Sequence, residues 1–402
     1  MWSVWLEERG MVSKIIANTP RMVIGRPSKR DLPLPNSHWV RVQNVLAGIS
    51  EEDLALIANN RQYTIPAGTA GQRRRYLGRE VIGVVREIGA DVTYVGVGDR
   101  VVLQHEAQST CATLGLQPPC RACVDGNVAL CEHRMLPWNG VGAGWSDSMI
   151  VHETQLFPVP DNLSNDQAVL LEPTARVVRC ILQRTPQAGA DVLVLGGGIM
   201  GQLTASALQA IIPGIHVTLA TDATYQIEAA KLRDITAFLP LEQKELLQQG
   251  AEMTNAQTFR QGNTITILGG YDSVFVCDSE SSLVSSALKL VRGGGTVVLV
   301  VPPNQSHQQI NIDALWQDEI TLLGIGSPGS EMLPDDMAES VGARLSSLAV
   351  AARLMLRTAP KRPLKTAGLI THRESYTAIK QALQIARQPT AASALRVVLQ
   401  FD

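Results

Sequence analysis

Val192-Leu193-Val194-Leu195-Gly196-Gly197-Gly198-Ile199-Met200-Gly201 is the stretch that decides the fold of this 402-residue chain. Four apolar residues read as a buried strand, and the glycines after them satisfy G-x-G-x-x-G before an apolar helix that runs through Ala210. Gly196 permits the tight turn, Gly198 lets the backbone approach a pyrophosphate, and Gly201 lets the helix pack on the strand. The helix N-terminus, where Ile199 and Met200 lie, offers unpaired N–H donors to the phosphates. A strand running through a glycine turn into a helix is the context that makes the motif a dinucleotide site.

Working outward, His216 to Ala220 reads as the second strand, and Asp222 follows it, twenty-one residues past Gly201. An acid there accepts hydrogen bonds from the adenosine ribose hydroxyls and repels a 2′-phosphate, so NAD(H) is expected over NADP(H). Ser273 to Cys277 and Thr296 to Val300 are further apolar strands, and their alternation with helical text predicts a parallel, doubly wound sheet. The half before Gln187 differs: Trp39 to Val42, Val81 to Ile88 and Asp99 to Leu103 are short strands between turns. Helices are expected over Asp335 to Leu356 and Ser375 to Ala386, and the closing strand Leu395 to Leu399 predicts that the C-terminus returns to the first domain.

Composition narrows the function classes. With 45% hydrophobic and 18% charged residues the chain is neither disordered nor collagen-like nor a coiled coil. A formal charge of -2 gives no field to draw nucleic acid or an anionic membrane, and Arg73-Arg74-Arg75 with Arg79 is too local a cluster to supply one. Glu7, Glu8 and Arg9 interrupt what a secretory signal would need, and Val192 to Thr221, though uncharged, is broken by glycines and Pro213-Gly214. A cytoplasmic protein is expected, with neither a membrane nor a nucleic-acid partner. Four of its six cysteines, Cys111, Cys120, Cys123 and Cys131, fall within 21 residues, which suits a metal site better than a disulfide framework.

A β-rich half, a cysteine lobe and a dinucleotide fold, in that order, carry a resemblance. With Gly78-Arg79-Glu80, Val97-Gly98-Asp99-Arg100-Val101, Val159-Pro160-Asp161, Glu172-Pro173 and Gly293-Gly294-Gly295-Thr296-Val297, the chain resembles the medium-chain dehydrogenase/reductase superfamily, in its zinc-containing alcohol and polyol dehydrogenase branch. The resemblance implies an α/β fold with a GroES-like, β-rich catalytic domain over 1–173 and 327–402, its cysteine lobe at about 104–135. It implies a Rossmann domain over 174–326, a small-molecule substrate and a homo-oligomer, dimer or tetramer. Met200 takes the place of the side chain behind the nicotinamide, Arg176 follows Glu172 by one helical turn, and Arg396 matches a basic position that some members aim at the pyrophosphate.

The family's structural zinc lobe has the spacing C-x2-C-x2-C-x7-C. Cys120, Cys123 and Cys131 reproduce its last three positions, but Gln117 stands at the first. Cys111 supplies the fourth ligand if Thr113 to Pro119 loops back; otherwise the lobe is a zinc-free vestige. The catalytic site departs further. Gly48-Ile49-Ser50-Glu51-Glu52-Asp53-Leu54 aligns with the segment carrying a cysteine ligand and puts Ser50 in its place, while Arg79 replaces the ligand histidine. Glu80 and Glu172 keep the family's carboxylates. A hydroxyl is a poor zinc ligand and a guanidinium has no lone pair to give, so no catalytic zinc is expected. Arg79 is expected to pair with Glu172, Glu80 or Asp53.

The expected function is an NAD(H)-linked oxidoreductase acting on a small alcohol, carbonyl or conjugated substrate. Arg79 would stabilise the oxyanion, Ser50 would relay a proton, and Glu172 or Glu80 would act as acid or base. Two alternatives stay open: a zinc-dependent dehydrogenase with relocated ligands, and a non-catalytic dinucleotide-binding protein.

Overall fold

The computed structural model describes residues 3–6, 22–24, 32–58, 74–104, 108–134, 136, 138–262, 264–303, 310, 312–332, 344–359 and 361–401. The acidic stretch near the N-terminus, Arg73, and 335–343 of the expected late helix lie outside these. The chain forms two compact units. Met1–Glu172, Pro328–Ser330 and Ile370–Asp402 make the first; Pro173–Ser327 and Glu331–Leu369 make the second.

The first unit is built on a seven-stranded sheet. Strands Ile370–Ser375, Arg396–Gln400, Trp39–Gly48, Val81–Ile88, Arg100–Leu103 and Leu156–Pro158 lie side by side in that order, and Ser148–His152 also pairs with Trp39–Gly48. Trp39–Gly48 is the long central strand. Its β-branched and aromatic residues suit a pleated, half-buried surface, and Val40, Val42 and Ala47 enter a core with Val81, Val85, Val101, Leu103 and Met149. The C-terminal strand Arg396–Gln400 lies antiparallel to it, so the chain end does return to the first unit.

The second unit holds a six-stranded parallel sheet in the order Ala237–Leu239, His216–Ala220, Asp191–Leu195, Tyr271–Val276, Val291–Leu299, Thr321–Gly324. This is the doubly wound order, whose direction of winding reverses at Asp191–Leu195, the strand that leads into the glycine motif. Strands buried on both faces need near-continuous apolar runs. Leu193, Leu195, Val274, Val276 and Val297 accordingly form its core with Leu283 and Ala287 from the helix Ser282–Leu290.

Two expectations need correcting. The segment 331–369, assigned by sequence to the first domain, belongs to the second unit. Glu331 explains this: its carboxylate is buried, accepts from Arg179 at 2.9 Å and Ser347 at 2.7 Å through Oε1, and from Gln183 at 3.1 Å through Oε2. Arg233 adds a second tie, donating to the carbonyls of Ala229 and of Ala367 at 2.7 Å. The late helices are also shorter than their text suggested. Ser346 caps the helix Ser347–Met355 by accepting from Ala349 N–H, and the helix expected from Ser375 begins only at Ile379, after the strand Ile370–Ser375.

Removing the Glu331 carboxylate would strand Arg179 in the interior without its counter-ion. Glu331→Ala is therefore expected to lose about 3–5 kcal/mol in urea unfolding. A loss under about 1 kcal/mol, the scale of an exposed pair, would mean that this network does not hold the segment.

Candidate functional site

The glycine motif is shaped by contacts that exclude side chains. Gly196 sits at φ +103°, and a Cβ on Gly201 would lie 1.8 Å from the Gly196 carbonyl oxygen, so only glycine lets the helix Ile199–Ile211 start this close to the strand. Gly198 is the N-cap and offers no capping side chain, which leaves the N–H groups of the first turn, at Ile199 and after, for a phosphate. Gln202 fixes the loop by donating from Nε2 to the carbonyls of Gly197 at 3.0 Å and Gln226 at 2.9 Å. Asp222 is exposed just past the strand His216–Ala220, and its Oδ1 accepts from Leu241 N–H at 2.9 Å. Met200 is buried, with its sulfur 3.4 Å from Nη2 of Arg176. These groups can hold a dinucleotide by its pyrophosphate and adenosine ribose.

A second constellation forms in the first unit where the strand Trp39–Gly48 ends. Gly48 N–H donates to the carbonyl of Glu80 at 2.8 Å, and a Cβ on Gly48 would lie 2.3 Å from Glu80 Oε2. The absence of a side chain at 48 thus makes room for a buried carboxylate. Arg396 pairs with that carboxylate at 2.9 Å and donates to the Ile49 carbonyl at 2.6 Å. Arg79 pairs with Glu172, at 3.1 Å from Nε and 3.0 Å from Nη2 to Oε1. All four side chains are at most 9% exposed. Glu172 Oε2 is buried with no hydrogen-bond partner among the described residues.

Ser50 and Asp53 lie in the same constellation, both buried. Ser50 Oγ donates to Asp53 Oδ2 at 2.7 Å and accepts from Asp53 N–H at 3.1 Å; Gly78 N–H donates to Asp53 Oδ1 at 3.0 Å. Burial pushes the Asp53 carboxyl up to about 6, and the nearby Glu52 adds to the rise, against the opposing pull of Gly78 N–H, Ser50 and the Arg79 charge.

Glu172, one of the partners expected for Arg79, lies at ion-pair distance from it. Arg396, expected by resemblance to face a phosphate, has its guanidinium bonded to Glu80 and the Ile49 carbonyl inside the first unit. The buried bond between Asp53 and Ser50 was not expected from the sequence. Its signal was S-x-x-D directly after a strand, a pattern that ordinarily marks only a helix cap. Among the described residues, the one group of three or more His, Cys, Asp or Glu side chains gathered closely enough for a metal ion is elsewhere. Ser50, Arg79, Glu80 and Glu172 do not fit a catalytic zinc, since two of the four cannot serve as strong ligands and Arg79 brings a fixed positive charge.

That metal-type group is Cys111, Cys120, Cys123 and Cys131, whose sulfurs all lie within 4.8 Å of one another. Cys111 and Cys120 each lie 3.8 Å from Cys131 Sγ. Four sulfurs at about 2.3 Å from one tetrahedral zinc are about 3.8 Å apart, so the thiols are spaced as zinc ligands. Cys111 reaches the group because the chain turns back at once, with Leu116 N–H bonded to the Cys111 carbonyl at 2.9 Å. Cys120 N–H points at Cys111 Sγ at 3.3 Å and His133 N–H at Cys131 Sγ at 3.4 Å, donors that would stabilise thiolates.

The chain is similar to known dehydrogenases. The sequence profile of the alcohol dehydrogenase GroES-like domain matches residues 36–161. Sorbitol dehydrogenase of Bacillus subtilis is 25% identical over 323 residues, 79% of this chain and 82% of its own. (R,R)-butanediol dehydrogenase of Saccharomyces cerevisiae is 32% identical over 173 residues, 41% of this chain and 44% of its own. Among solved structures, zinc-dependent alcohol dehydrogenase 2 of Streptococcus pneumonia superposes over 100% of this chain and 99% of its own with a TM-score of 0.72 at 18% identity, a likeness of fold.

The cysteine lobe gives a direct prediction. Elemental analysis of the purified protein is expected to find about one zinc per chain, and Cys111→Ser to lose most of it, because a hydroxyl does not replace a thiolate in a four-sulfur site. Full retention of zinc by Cys111→Ser would remove Cys111 from the ligand set.

Proposed function

We propose that the chain, which resembles the zinc-type alcohol and polyol dehydrogenases of the medium-chain dehydrogenase/reductase superfamily, is an oxidoreductase that uses NAD(H) and oxidises a small alcohol, or reduces its carbonyl, without a catalytic zinc. The observation that carries this reading is the buried pair of Arg79 with Glu172, beside Ser50, where the family places metal ligands. A guanidinium there supplies what a Lewis acid otherwise would, a fixed positive charge in a water-poor site next to the oxygen that becomes negative. Glu172 Oε2, an acceptor without a hydrogen-bond partner among the described residues, suits a substrate hydroxyl, which would both satisfy it and orient the alcohol.

The bound nicotinamide supplies the hydride chemistry. The chain's share is to hold it: the Gly196 to Gly201 turn and the N–H groups at Ile199 and Met200 take the pyrophosphate, and Asp222 takes the ribose hydroxyls. One Asp222 oxygen already accepts from Leu241, which fixes the carboxylate on the strand end. The cysteine lobe with zinc is a structural element. A homo-oligomer is part of the same proposal, by family analogy.

Two measurements test the reading. Titration by fluorescence is expected to show tighter binding of NADH than NADPH, with Asp222→Ser narrowing the difference; tighter NADPH binding in the wild type would sink the assignment. Turnover is to be sought with sorbitol, butanediol, threonine and a wider panel of alcohols and carbonyls, with and without chelator. Arg79→His is expected to keep fold and NADH binding but to lose about 10²–10³-fold in rate, as when an oxyanion donor is removed. Full activity in Arg79→His, or a wild type inactivated by chelators while still folded, would refute the metal-free mechanism.

A further inference from the structure

We infer that Ser50 and Asp53 form a buried proton relay for the alcohol of the proposed reaction, with Ser50 Oγ as the group that meets the substrate oxygen and Asp53 acting through it. The inference rests on the dehydrogenase reading and deepens it by assigning the proton path.

The contacts exceed what a helix cap requires. In a capping box the serine oxygen accepts from the N–H three residues on, and the acidic side chain reaches back to the serine N–H. Both are present, at 3.1 Å and a long 3.4 Å. The cap does not account for the third bond, in which the hydroxyl proton of Ser50 is committed to Asp53 Oδ2 at 2.7 Å. Nor does it account for burial: Ser50 is 1% and Asp53 4% exposed, whereas the Ser164 cap of this same chain bonds Gln167 at an exposed site. A serine whose proton already points at a carboxylate can pass that proton on while receiving another.

The step balances. As the alcohol is oxidised, its O–H bond breaks and its proton bonds to Ser50 Oγ; the Ser50 proton moves to Asp53 Oδ2; the hydride from carbon goes to NAD+, the co-substrate of the proposed reaction. Asp53 then returns its proton to solvent. In carbonyl reduction the sequence runs backward and Asp53 starts protonated. Asp53 is tuned for this exchange by opposing surroundings. Burial and Glu52, from its own helix, favour the neutral acid, while Arg79 and Gly78 N–H, from the turn before strand Val81–Ile88, and Ser50 favour the anion. The result is a carboxyl that titrates near 6, close enough to neutrality to take and release a proton.

The test pairs a titration with kinetics. Infrared difference spectroscopy on the whole protein should show a protonated-carboxyl band lost with a midpoint near 6, absent in Asp53→Asn and shifted in Ser50→Ala. Stability offers a second reading free of activity. A carboxyl raised from 3.8 to about 6 binds more proton folded than unfolded, so wild type loses stability relative to Asp53→Asn as pH rises through that window. In kinetics, wild-type kcat for alcohol oxidation should fall on the acid side of the same midpoint. Asp53→Asn should lose about 10²-fold or more together with that limb, and Ser50→Thr should restore what Ser50→Ala loses. An Asp53 that titrates near 4, or a kcat profile unchanged in Asp53→Asn, overturns the relay and leaves the dehydrogenase reading standing. No turnover of any alcohol by wild type overturns both.

Discussion

Two guanidinium–carboxylate pairs, Arg79 with Glu172 and Arg396 with Glu80, lie out of water at the end of the strand Trp39–Gly48. Burying four charges is costly unless each is matched, and loss of any one leaves its partner uncompensated. The surrounding backbone is accordingly built to suit them: Gly48 vacates the space that Glu80 fills, and Ile49 turns its carbonyl to Arg396. Ser50 and Asp53 follow directly in sequence and inherit the same dry setting. The raised pKa of Asp53 and the electrostatic role assigned to Arg79 both depend on that exclusion of water.

The family's arrangement solves the same electrostatic problem with a metal. On the proposed reading, fixed cations balanced by two carboxylates stand here in place of a dication balanced by a thiolate and a carboxylate. The exchange trades a Lewis acid, which can take an oxygen into its coordination shell, for a donor of hydrogen bonds with a delocalised charge. On the proposed metal-free reading, such a site needs a separate proton path. A serine in place of the cysteine, bonded to a buried acid, meets that need.

Much of this was legible in the sequence where one residue type alone satisfies the geometry. Gly201 and the strand before it announced the parallel sheet, since the helix start admits no Cβ, and the cysteine spacing announced the lobe. Ser50 and Arg79 were legible by contrast, as residues that cannot do what their positions ask. Less legible was anything decided by long-range pairing. Arg396 carries a charge that suits a phosphate as well as a carboxylate, and only the antiparallel pairing of its strand with Trp39–Gly48 turns it toward Glu80. Nothing in the sequence marked Glu331, yet it binds Arg179 from a helix some 150 residues earlier, and 331–369 falls in the second unit. Asp53 stood in the sequence only as a possible partner of Arg79, because its burial and its bond to Ser50 appear only once the chain is folded.

The central claim is that two substitutions, at positions 50 and 79, replaced a catalytic zinc by a guanidinium in an otherwise preserved site. Zinc stoichiometry of the double variant Ser50→Cys/Arg79→His tests it most directly, because a thiolate and an imidazole then rejoin Glu80 and Glu172. The account predicts about one zinc per chain in the wild type and about two in the double variant, the second held as a site with strong N and S donors restored. Two zincs in the wild type, or a double variant that folds and still binds only one, would contradict it.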